Sequence, residues 1–103
     1  PGLSDYAYDN IESDTLTPEE LEFANELEEK THFNVDSFNV WYDDSKDEKL
    51  RKVEYYLTDE DFGDINVVLI DNGYEKEYTF GSDNRKLNKI EFFNELLNFI
   101  KIK

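Results

Sequence analysis

Asn72-Gly73 separates two segments of opposite texture in this chain. Before it runs Asp-Ile-Asn-Val-Val-Leu-Ile-Asp over 64–71, nearly continuously apolar. After it, over 74–80, Tyr74, Tyr78 and Phe80 alternate with Glu75, Glu77 and Thr79. Asn and Gly both tolerate the positive φ of a type I′ turn, so the dipeptide predicts a hairpin with a two-residue loop. That loop would set Asp71 opposite Tyr74, Leu69 opposite Lys76, Val67 opposite Tyr78 and Ile65 opposite Phe80. The other face would pair Val68 with Glu77 and Ile70 with Glu75, and would be the wetter one.

Two more segments alternate with period two. Over 36–43, Phe38, Val40 and Tyr42 share a face, with Asn39 and Trp41 opposite. Over 50–57, Val53, Tyr55 and Leu57 share a face, with Lys52, Glu54 and Tyr56 opposite. Helices are expected at both ends. Thr17-Pro18-Glu19-Glu20 is a capping box with proline at the first helical position, and it predicts a helix over 18–31. Phe23, Ala24, Leu27 and Leu21 form its buried side, and Glu22, Glu26, Glu28 and Glu29 are left for solvent. Asn88-x-x-Glu91 is a second box and predicts a helix over 89–101. Its apolar positions are Ile90, Phe93, Leu97 and Ile100, flanked by Phe92, Leu96 and Phe99. Short connections favour an antiparallel meander. The expected fold is a two-layer α+β domain, α-β-β-β-β-α, over 16–103, with 1–15 as a flexible acidic tail. If both helices cover one sheet face, the opposite face is open, and Trp41, Tyr56, Val68 and Ile70 are exposed there beside Glu54, Glu75 and Glu77.

Charge narrows the function. In 103 residues there are 26 Asp and Glu against 11 Lys and Arg, a net of −15. Direct nucleic-acid or anionic-lipid binding needs the opposite sign. Residues 1–31 carry a net −9 and residues 32–82 a net −8, whereas 83–103 carry +2. No apolar run reaches the roughly 18 residues of a membrane span. Without Cys there is no disulfide framework, thiolate catalysis or zinc-thiolate site. His32 is the single imidazole and sits at a helix end, and no Gly-x-Ser-x-Gly elbow or phosphate-binding glycine loop occurs. The expectation is a chain that is not an enzyme, with no catalytic residues and no cofactor.

What remains is an acidic surface that steers and selects a basic protein partner, with aromatic anchors supplying affinity. The candidate partner-binding residues are Glu22, Glu26 and Glu29 on the first helix, Asp59, Glu60, Asp61 and Asp64 in the central loop, and Trp41 and Tyr56 as anchors. The expected role is a small inhibitor, immunity or anti-defence protein of a bacterium or phage, in one form a nucleic-acid mimic. The alternative is the extracellular part of a secreted or lipid-anchored Gram-positive protein, with 1–15 as its tether. Either compartment fits, with the cytoplasm slightly favoured. A third reading is a calcium-responsive domain built on Asp43, Asp44, Asp47 and Glu48 or on Asp59, Glu60, Asp61 and Asp64. Neither group has EF-hand spacing, so no metal ligands are assigned. The open sheet face also admits a homodimer in place of a monomer.

Overall fold

The computed structural model describes residues 16–43, 50–81 and 85–102. The acidic tail expected at 1–15 and Asp44, Asp47 and Glu48 of the first acidic loop lie outside the described residues. The described elements are α1 (Pro18–Thr31), β1 (Asn34–Asp43), β2 (Leu50–Asp59), β3 (Gly63–Asp71), β4 (Lys76–Phe80) and α2 (Lys89–Ile102). The strands form one antiparallel sheet in the order β1-β2-β3-β4. The chain is thus the α-β-β-β-β-α meander that its patterning predicts.

Both helix starts follow from side-chain capping. Thr17 Oγ1 accepts from Glu20 N at 3.2 Å while Glu20 Oε1 accepts from Thr17 N at 2.9 Å. At α2, Asn88 Oδ1 accepts from Glu91 N at 2.8 Å and Glu91 Oε1 accepts from Asn88 N at 3.2 Å. Each box satisfies two amides that have no partner within the helix. α1 stops where His32 turns into the left-handed region (φ 66°) and donates its N–H to Glu28 O. The single histidine is an exposed helix-end residue.

Cross-strand partners define the two sheet faces. Phe38 lies opposite Tyr55, Val40 opposite Val53 and Tyr42 opposite Arg51. Across the next pair, Tyr55 meets Val67 and Val53 meets Leu69. Both helices cover this face. Phe23 of α1 packs against Tyr55, Tyr78, Phe92 and Phe93, with ring centroids 4.9–5.8 Å apart. Leu27, Leu57 and Leu96 complete the buried centre.

The hairpin register departs from expectation. The loop spans 72–75, and the ladder runs Asp71–Lys76, Leu69–Tyr78, Val67–Phe80. Among the described residues other than glycine only His32 has positive φ, so Asn72 does not take the type I′ conformation. Its side chain instead accepts the amides of Tyr74 and Glu75. These bonds stabilise a wider loop. The two-residue shift keeps every side chain on its expected face. It also exchanges a Leu69–Lys76 pairing for Leu69–Tyr78, and sets Lys76 beside Asp71 at 3.8 Å.

Ile90 is a second correction. It is 76% exposed, whereas Phe92, Phe93 and Leu96 are buried. At about 100° per residue, Ile90 lies about 200° around the helix from Phe92, so it leaves the core when Phe92 enters it.

Tyr55 is fully buried and donates its hydroxyl to Glu20 O at 2.9 Å. Burial, reinforced by the Glu20 carboxylate, pushes its phenol up from the ordinary value; Tyr78 is pushed up chiefly by burial as well. A raised folded-state value favours the neutral phenol. The resulting stability is fully present below about pH 10, where tyrosine ionises in the unfolded chain, and is lost as pH rises above it. Tyr55→Phe is therefore expected to flatten the alkaline unfolding limb. The check is tyrosinate absorbance beside circular dichroism. Ionisation of Tyr55 ahead of unfolding contradicts this account.

Candidate protein-docking surface

Neither described helix covers the second sheet face. Its residues follow from the register: Asn39, Glu54, Val68 and Thr79 in one row, and Trp41, Lys52, Ile70 and Glu77 in the next. Tyr56 and Asn66 face each other one step further along, and Asp64 with Thr58 one step beyond that. Trp41, Tyr56 and Val68 are half-buried, while Ile70, expected to be exposed, is only 8% exposed. Glu75 sits in the loop and not on the face, because β4 begins at Lys76.

This face has its own order. Glu54 Oε1 accepts from the Tyr56 hydroxyl at 2.8 Å and Glu54 Oε2 from the Asn66 amide at 3.0 Å. The Tyr56 phenol is pushed above its ordinary value, first by that hydrogen bond. One carboxylate thus fixes an aromatic ring and an amide on neighbouring strands. Lys52 is held by Asp43 at 3.2 Å. Glu54, Asp64 and Glu77 leave the face negative.

The expected acidic residues do not form one surface. Glu22 and Glu29 are exposed on α1, in the helical layer behind the sheet. Glu26 is half-buried and ion-paired to Lys89 of α2, and Glu28 accepts from Val35 N at 2.9 Å. Much of the acidity of α1 therefore holds the helix to its neighbours. In the central loop, Asp59 Oδ2 accepts from Asp61 N and Phe62 N at 3.0 and 2.8 Å, which closes the β2–β3 turn. Glu60 and Asp61 point to solvent, and Asp64 extends the Tyr56–Asn66 row. Trp41, Tyr56 and Asp64 are brought onto one face, with Glu60 and Asp61 at its end. Glu22, Glu26 and Glu29 are not.

Glu54 and Asn66 were missing from the candidate site. Period-two alternation places Glu54 on the face of Tyr56, but Asn66 reaches that pair only through the β2–β3 register. Sequence reading also missed the most buried ion pair among the described residues. Glu20 is 1% exposed, and its carboxylate takes a two-point fork from Arg51, Nε to Oε2 and Nη2 to Oε1, both 2.8 Å. Arg51 Nη1 also donates to Tyr42 Oη at 2.7 Å. The Glu20 carboxylate raises the Arg51 guanidinium further above its ordinary value. The spacing of Glu20 with Phe23, Ala24 and Leu27 was the available signal, since it puts Glu20 on the buried stripe.

Among the described residues, no group of three or more His, Cys, Asp or Glu side chains is placed to hold a metal ion. No described helix is long and apolar enough to cross a membrane. Compared with known proteins, the chain matches no family model, no curated protein and no solved structure.

Proposed function

We propose that this chain is a non-catalytic acidic binding module that occludes a basic site on a partner protein, nucleic-acid mimicry being one form. The observation that carries the reading is the sheet face that neither described helix covers. There Trp41 and Tyr56 stand among Glu54, Asp64 and Glu77, and Glu54 already holds the Tyr56 ring. Large, pre-ordered aromatic side chains are the usual anchors of an interface, because little rotamer freedom is lost on binding. The net charge of −15 adds steering toward a positive surface. Glu60 and Asp61 at the end of the face extend that field.

The test begins with capture from a lysate of the source organism at low and moderate salt, followed by an assay of the captured protein's own activity. A basic protein whose activity falls on binding is the expected result. Trp41→Ala with Tyr56→Ala should then weaken affinity about 30-fold or more, the scale of an interface hot spot of about 2 kcal/mol. Glu22→Gln with Glu29→Gln should change it only slightly. Neutralising Asp59, Glu60, Asp61 and Asp64 together should slow association and flatten its salt dependence. Unchanged affinity in the Trp41 and Tyr56 variant overturns the assignment of this face. A dimer in sedimentation that the same variant disperses would mean that a second copy occupies it.

A further inference from the structure

The loop joining β3 and β4 places three reactive features around one peptide bond. The Gly73 N–H donates to Asp71 Oδ1 at 2.8 Å. The Asn72 side-chain oxygen accepts from Tyr74 N at 2.8 Å and Glu75 N at 2.9 Å. Gly73 carries no Cβ, and a Cβ built there would meet nothing within 4 Å, so no neighbouring atom crowds that position. Gly73 and Tyr74 are exposed, Tyr74 at 97%.

From this arrangement we propose that Asn72-Gly73 is a self-modification site, at which the folded loop promotes its own conversion through a succinimide to aspartate and isoaspartate. The nucleophile is Gly73 N, and Asp71 is positioned to accept its proton. The N–Cγ bond forms as charge moves onto Asn72 Oδ1, where two backbone donors already point. A carbonyl oxygen facing two fixed N–H groups is the arrangement that stabilises an oxyanion. The Cγ–Nδ2 bond then breaks, and the nitrogen leaves as ammonia with the proton returned from Asp71. Water reopens the ring at either carbonyl and yields an aspartyl or isoaspartyl residue. No oxidant or reductant is needed. The product adds a negative charge beside Asp71 and Glu75, and the isoaspartyl form lengthens the backbone within the loop.

The wild-type chain tests this directly. Full-length protein is incubated at neutral pH, folded in buffer or unfolded in guanidinium chloride, and the peptide containing residue 72 is followed by mass and by isoaspartate content. The folded chain is expected to convert at least about tenfold faster than the unfolded one, below the ~10²–10⁴ that a positioned base supplies in enzymes. Asp71→Asn, shown by circular dichroism to be folded, should lose that advantage, and Asn72→Gln should give no product. Conversion no faster in the folded chain overturns the proposal, because the loop then shields the bond. Asp71→Asn reacting as fast as wild type also overturns it.

Discussion

Arg51→Met is expected to destabilise the domain by about 3–5 kcal/mol, because it leaves the Glu20 carboxylate buried without its charge partner. Glu20 is 1% exposed, and the two guanidinium bonds it would lose are both 2.8 Å. The Thr17 amide would remain, but a single amide does not replace a cation. Glu20→Gln is expected to cost less. Glutamine also serves in a capping box, and Arg51, with its side chain 16% exposed, retains water and the Tyr42 hydroxyl. The double variant Glu20→Gln with Arg51→Met should recover part of the Arg51→Met loss, since no buried charge is then stranded. Denaturant midpoints at constant slope measure all three, and the cycle isolates the coupling. A loss below about 1 kcal/mol for Arg51→Met would place the pair with ordinary surface ion pairs.

Phe23→Ala is the second large loss, again about 3–5 kcal/mol. Phe23 is 2% exposed and is the ring through which α1, the sheet and α2 meet. Truncation removes its buried apolar area and opens a cavity among four aromatic neighbours that collapse only partly. Phe99 is the contrast. It is 45% exposed and touches Phe62 and Phe80 at the rim, so Phe99→Ala should cost much less. Equal losses at the two positions would mean that the helices do not share one centre. Of the ~5–15 kcal/mol that holds a typical domain folded, either of the two large losses removes a major share.

The contrast between capping and register explains what was legible. Thr17 with Glu20, and Asn88 with Glu91, act within one helical turn, so their meaning is complete in four residues. The alternation of Phe38, Val40 and Tyr42, or of Val53, Tyr55 and Leu57, states a face without naming its partner strand. Asn72-Gly73 predicts a hairpin correctly but not its loop. That depended on whether the Asn72 side chain would take the amides of Tyr74 and Glu75. The candidate site divides the same way. Alternation places Trp41 and Tyr56 opposite the core if both helices cover one face, whereas the tie from Tyr56 through Glu54 to Asn66 requires the β2–β3 register.

The sequence by itself determined the helices, the strands, the alternation within each strand and the acidity, because each depends on neighbours a few residues away or on composition alone. Only the tertiary structure decided that the α1 carboxylates and the Trp41–Tyr56 face lie on opposite layers. It also decided that Glu20 would be buried against Arg51, 31 residues later. Both outcomes depend on which sheet face the helices cover and at what register. Those choices follow from burying Phe23, Phe92 and their neighbours together, a balance over the whole chain that no local pattern encodes.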